Sequence, residues 1–257
     1  MIYSETVLNT LWRGQALDDE LVVLYTPKEG FFPTSYTVLI DGKRCRRSTR
    51  LYNCWTNMSQ RCLDGSQQQM KIKSYVGCTN TFKNYQEFAE FCYNLPNFTC
   101  VDGKGNPYEI DKDVKGFLTK QFGLYSKETL CMLPKDINCF LTCVQKHNDS
   151  LTRSTKGVIQ EHGGKYDVRT QDVCGDGERK VMYRCKNYNE AYNHLRELKK
   201  KQAAFLAEKY KASIEKCVVD FLNNFDLDVW EQMSWLKMGQ RMIRFLSITI
   251  MELKFKK

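Results

Sequence analysis

The chain has 257 residues, 42% of them hydrophobic and 27% charged, with a net charge of +9. That length and balance suit one large folded domain or two small ones with a real core, and exclude a fibrous or wholly disordered chain. The basic excess fits a polyanionic partner such as nucleic acid, because phosphate contacts supply most non-specific affinity, or else a mildly basic solvated surface.

The first residues, "MIYSETVLNTLWRGQ", lack a basic region followed by an apolar run, so no signal peptide is expected. The most apolar late run, "FLSITIM" (Phe245 to Met251), is too short to cross a bilayer, and no membrane partner is expected. The 12 cysteines are scattered, without a C-x-x-C, which fits reduced thiols in a cytosol better than a disulfide framework.

In chain order, "ELVVLY" and "SYTVLI" read as β-rich runs on either side of "TPKEGFFPT", and residues 1–35 form a β-rich extension. "DGKRCRRSTR" reads as a turn with a basic cluster: Lys43, Arg44, Arg46, Arg47 and Arg50. It is either a solvated loop or a phosphate-binding loop, since arginine forks onto phosphate. Leu51, Cys54, Trp55, Met58 and Cys62 recur at helical spacing and predict a short amphipathic helix. "TNTFKNYQEFAEFCYNL" predicts a second helix with Phe82, Tyr85, Phe88, Phe91 and Cys92 inward.

In "YEIDKDVKGFLTKQFGLYSKETLCMLPKDIN", Asp111 and Asp113 are spaced for one face of a strand, and Pro134 is placed to lead a helix. Beyond it, Cys139, Cys143 and His147 stand at i, i+4 and i+8. They form either a metal-binding face or, with Ile137, Phe140 and Val144, a packed stripe. "KHNDSLTRSTKG" reads as a linker, followed by three short strands and a helix from about Asn189.

From Glu190 to about Asn223 the pattern stays helical, with an apolar stripe of Ala191, Leu195, Leu198, Leu206, Tyr210, Ile214, Cys217 and Phe221 and with "LKKKQ" and "EKYK" largely opposite it. "FDLD" breaks the run, and a second long helix follows, making an antiparallel hairpin. Its second run, Trp230, Met233, Leu236, Ile243 and Leu246, adds apolar surface. Such a surface needs cover, either from the preceding segments or from another copy of the chain, and a homo-oligomer, two-fold by default, is expected. The fold class is α+β, in four segments: the extension 1–35, a small ββα module with flanking helices over 36–147, a three-stranded module over 156–189 and the helical hairpin 190–257.

Taken in order, these motifs resemble the HNH-type homing-endonuclease-like proteins of tailed bacteriophages, which pair a ββα-metal nuclease module with an ethylene-response-factor-like DNA-binding domain. "YNCWTNMSQRC" offers Trp55, Met58, Arg61 and Cys62. "SYVGC", "TFKNYQEFAEFC", "EIDKD", "YSKETLCMLPKDIN", Gly157-Val158, "KYDVR" and Glu190-Ala191 follow at similar spacing. The resemblance covers about residues 36 to 215.

It implies a phage DNA-binding protein of the host-cell cytoplasm. In the enzyme form it is a Mg²⁺-dependent DNA endonuclease with Asp111 and Asp113 as metal ligands and Asn138 as a catalytic partner. It also implies a DNA surface carrying Lys156, Lys165, Arg169, Lys180 and Arg184. Of the chain's departures from the family pattern, two bear directly on function. No histidine lies in the "EIDKD" strand to act as general base, and acidic residues interleave with the basic ones in the sheet. The alternative is therefore a catalytically degenerate, non-enzymatic relative that binds and inhibits a host anti-phage defence complex, assembling through its C-terminal helices.

Overall fold

The structure is a computed structural model that describes residues 32–145 and 159–232, apart from 33, 41–42, 64, 67–74, 76, 99 and 176. The chain is mixed α and β and divides into two compact units, residues 1–135 and 136–257. The extension 1–31, Lys156, His147 and nearly all of the second hairpin helix fall outside the described residues.

In the first unit, β1 (Ser35–Ile40) and β2 (Lys43–Ser48) form an antiparallel hairpin. The basic cluster expected as a loop is thus a strand: β-ladder pairing with "SYTVLI" fixes Lys43 to Arg47 in an extended backbone. Arg50 leaves that cluster altogether. It opens helix α1 (Arg50–Cys62), and its guanidinium donates to the backbone carbonyl of Tyr108. Thr49 caps α1 by accepting from the N–H of Tyr52 at 3.2 Å.

Strand β3 (Thr79–Asn80) precedes α2 (Tyr85–Tyr93). Asn84 and Glu87 make a reciprocal cap: the Asn84 side chain accepts from the N–H of Glu87, and Glu87 accepts from the N–H of Lys83. The aromatic face of α2 packs on α1, with Trp55 and Phe88 rings 5.5 Å apart and Tyr52 edge-on to Tyr85. Strand β4 (Glu109–Asp111), helix α3 (Asp113–Leu118), β5 (Leu124–Tyr125) and β6 (Cys131–Leu133) complete the unit. β5 pairs parallel to β3, and β6 pairs antiparallel to β4. The "YSKET" motif is a turn with Ser126 and Thr129 buried and Lys127 and Glu128 exposed: Thr129 Oγ1 accepts from the N–H of Ser126 and donates to the carbonyl of Leu124.

Directly after Pro134 the chain enters α4 (Lys135–Gln145), as its position before that helix predicts. The second unit continues with β7 (Ile159–His162), β8 (Lys165–Gln171) and β9 (Arg179–Cys185), an antiparallel sheet in the order β7-β8-β9. Helix α5 (Tyr188–Tyr210) packs on this sheet, and α6 (Lys216–Asn223) packs on α5. The sheet and the helices after it, read as separate segments, share one unit.

The uninterrupted helix expected to Asn223 stops at Tyr210, where a short turn reverses the chain before α6. Ala191, Leu195, Leu198, Leu206, Tyr210, Ile214 and Phe221 are buried inside the unit, with Trp230 against Phe221 and Phe225. Those residues are covered by their own chain. The self-association expected of the hairpin rests on the second run, which lies outside the described residues apart from Trp230. "LKKKQ" is not wholly solvated either: Lys199 and Gln202 are 1% and 0% exposed. The Lys199 Nζ donates to Thr170 Oγ1 and Gln202 Oε1, and Gln202 donates to the carbonyl of Gln171. This network ties α5 to the middle of the sheet. Among the described residues no helix is long and apolar enough to cross a membrane.

Candidate nucleic-acid interface and the Asp111–Asp113 pair

The two carboxylates do not share a strand face. Asp111 ends β4, and Asp113 is the first residue of α3. The backbone turns at Lys112, so the period of two that would align them is broken. Asp111 Oδ1 accepts from the N–H groups of Asp113 at 2.8 Å and Val114 at 3.0 Å, serving as the polar cap of α3. Asp113 Oδ1 accepts instead from the Lys112 ammonium at 3.0 Å.

Lys112 itself is buried, with its Nζ 5.0 Å from the centre of the Tyr125 ring. The Tyr125 hydroxyl meets Arg61 at 3.4 Å, and the Arg61 guanidinium lies 4.6 Å over Tyr75. Cations and phenols alternate through this cluster, each cation facing a ring or a carboxylate.

Burial, and then the neighbouring charge of Asp113, push the Asp111 carboxyl up to about 6, against the pull of its two backbone hydrogen bonds and Lys112. Burial works against the charge on Lys112, but Asp113 and Tyr125 outweigh it and hold the ammonium above its usual range. Mg²⁺ takes hard oxygen ligands and keeps several waters. Asp111 is 6% exposed with one oxygen committed to the helix, and Asp113 already faces an ammonium. These residues do not fit a Mg²⁺ centre. Asn138 is half-buried on α4, in the second unit. Of the Cys139, Cys143 and His147 set, Cys139 is half-buried on α4; the Cys143 side chain and His147 lie outside the described residues. Ile137 and Phe140 on that helix are buried, at 0% and 1% exposure.

The three-stranded sheet has two unlike faces. Toward α5 point Val168 and Thr170, both buried, and Tyr166 and Tyr183, whose rings pack on Tyr188 and His194 of that helix. The other face carries Lys165, Asp167, Arg169 and Gln171 from β8, alternating as a strand requires. Arg184 lies opposite Asp167 and forks onto it at 2.7 and 3.0 Å, a bidentate pair that nearly buries the carboxylate.

A bulge then shifts the register: Val168 pairs with Tyr183, but Arg169 pairs with Val181, which leaves Met182 as the extra residue. Beyond it, Val181 and Arg179 stand opposite Arg169 and Gln171, on the outer face. Lys180 stands opposite the inward Thr170 and binds Asp172 at 2.6 Å. Of the DNA-contact residues expected in the sheet, Lys165, Arg169 and Arg184 therefore gather on one exposed face, and Lys180 does not. Arg179, absent from that expectation, joins them. A strict period of two through β9 groups Lys180 with Arg184, and only the bulge exchanges Lys180 for Arg179.

Lys165, Arg169, Arg179 and Arg184 thus put four cations on the face that also holds the buried Asp167. Lys165, Arg169, Arg179 and Arg184 are exposed, and Val181, 37% exposed, adds an apolar contact among them. In the other unit, Lys43 and Arg46 of β2 are exposed, and Arg46 donates to Ser35 at 2.8 Å; the side chains of Arg44 and Arg47 lie outside the described residues. Comparison with family models, with characterised proteins and with solved structures finds no match to this chain.

Proposed function

We infer that the protein is a DNA-binding protein of the HNH homing-endonuclease-like class that docks through the outer face of β7-β8-β9 and does not cut. The observation that carries this reading is the one-sided gathering of Lys165, Arg169, Arg179 and Arg184 around Val181, on a sheet whose other face is filled by α5. A β-ribbon with arginines on one face enters the major groove, where guanidinium forks read guanine edges and phosphates. The chain order β4, β6, α4 supports HNH-like ancestry for the preceding segment. Its acidic pair is held by a helix cap and a lysine, which supports binding without hydrolysis.

The test is titration of labelled duplex at two salt concentrations. With Arg184 held by Asp167, three phosphate-engaged cations lose on the order of 40-fold in affinity between about 50 and 200 mM salt. An Arg169→Ala, Arg179→Ala double variant weakens binding and flattens the salt slope by about 2. Equal binding by the variant and the natural chain refutes the sheet as the interface. Mg²⁺-dependent cleavage of supercoiled plasmid that Asp111→Ala abolishes refutes the non-cutting reading.

A further inference from the structure

Cys185, Glu190 and His194 come together where β9 ends and α5 begins. One donor atom from each, the thiol sulfur, a carboxylate oxygen and a ring nitrogen, lies within 4.8 Å of the others. Glu190 and His194 stand four residues apart, one above the other on the first turns of α5. The strand presents Tyr183 and Cys185 to that helix face. Tyr183 stacks on the His194 ring at 4.4 Å and 9°, which fixes the plane in which the ring nitrogens point. The N–H of Lys186 donates to Glu190 Oε2 at 3.0 Å and holds the carboxylate over the strand end.

Local structure accounts for part of this. Asn187 and Glu190 make the same reciprocal cap that Asn84 and Glu87 make on α2. The cap explains Glu190 but not the thiol and imidazole beside it, and among the described residues neither side chain has a hydrogen-bond partner. Among the described residues this is also the one group of three such donors close enough to share an ion. Cys185 is buried at 2% exposure, while Glu190 is exposed and leaves the cluster open to solvent on one side.

We propose that Cys185, Glu190 and His194 bind a zinc-class divalent cation, pinning the last residue of the sheet to its covering helix. A thiolate and an imidazole select a borderline-soft ion over Mg²⁺ or Ca²⁺, and the carboxylate completes the set. Thiolate, carboxylate and neutral imidazole bring two negative charges, which balance a divalent ion. Binding releases the thiol proton to solvent and involves no redox step. At metal–ligand lengths of about 2.0 to 2.3 Å the donors draw to roughly 3.5 Å apart. The exposed Glu190 side chain has the freedom to make that contraction. Three protein ligands leave a fourth position for water.

The probe is Co²⁺ added to the full reduced chain, because a cobalt–thiolate bond gives a near-ultraviolet charge-transfer band. One equivalent per chain is expected to raise that band, with Zn²⁺ displacing it. Cys185→Ser removes the band while the far-ultraviolet circular dichroism stays the same. His194→Gln and Glu190→Gln each weaken binding by more than about 10-fold, the low end for altering even an outer-shell partner. Glutamine at 190 keeps the cap, so that variant still decides if Cys185→Ser does not fold. No stoichiometric band, a band of equal strength in Cys185→Ser, or unchanged affinity in both glutamine variants would overturn the proposal.

Discussion

Replacing Asp111 by asparagine removes a buried negative charge but keeps the oxygen that caps α3. The natural carboxyl is ordinarily 3.8 and is pushed up to about 6 by burial and Asp113. Those values lie about two pH units apart, and at about 1.4 kcal/mol per unit the ionised form costs the fold about 3 kcal/mol. The folded carboxyl holds its proton to higher pH than the unfolded one. Its favourable contribution is therefore complete below about pH 4 and is lost as the pH rises toward 6.

Asp111→Asn has no such loss. Urea unfolding of the two proteins should give similar stabilities near pH 4. The variant should be the more stable by up to about 3 kcal/mol above pH 6, with a flat difference beyond. Asp111→Ala separates charge from cap: it relieves the same repulsion but leaves the N–H groups of Asp113 and Val114 without their acceptor. It should fall short of the asparagine variant by about 1 to 2 kcal/mol. If Asp111→Asn is less stable than the natural chain at neutral pH, or the difference does not change with pH, the carboxyl is not held as described. A strict need for the negative charge at neutral pH would restore the case for a cation there.

Two further substitutions test the packing. Gly116→Ala places a Cβ 2.9 Å from the backbone carbonyl of Gln121 in the turn after α3. It should lower stability by about 1 to 3 kcal/mol in the same urea assay, and a neutral result would mean that the turn relaxes freely. Lys199→Met keeps the buried volume but strips the donor from Thr170 and Gln202. A loss of about 1 to 3 kcal/mol is expected, together with faster amide hydrogen exchange in β8; an unchanged β8 would show that the lysine does not clamp the sheet.

Much of the fold's local detail was legible in the chain itself. The N-x-x-E pattern caps a helix at Asn84 and again at Asn187, where the capping oxygens and the N–H groups they satisfy lie within four residues. The aromatic stripe of α2, the helix after Pro134 and the three strands between 159 and 185 follow from periodicity in the same way. The apolar stripe of α5 was legible too, but what would cover it was not. Periodicity marks a face as buried without naming its partner, and for this stripe the sheet and α6 supply the cover.

Only the tertiary structure decided the rest. Asp111 and Asp113 look like a strand pair until the chain turns at Lys112 and α3 begins at Asp113, a turn set by hydrogen bonds that the spacing does not encode. Lys199 reads as solvated until Thr170 and Gln202 are brought to it, 29 residues away in one case. Arg179 and Lys180 exchange faces through one extra residue in a β-ladder. A bulge is fixed by the pairing of two strands and not by either one alone, so the alternation along β9 could not reveal it.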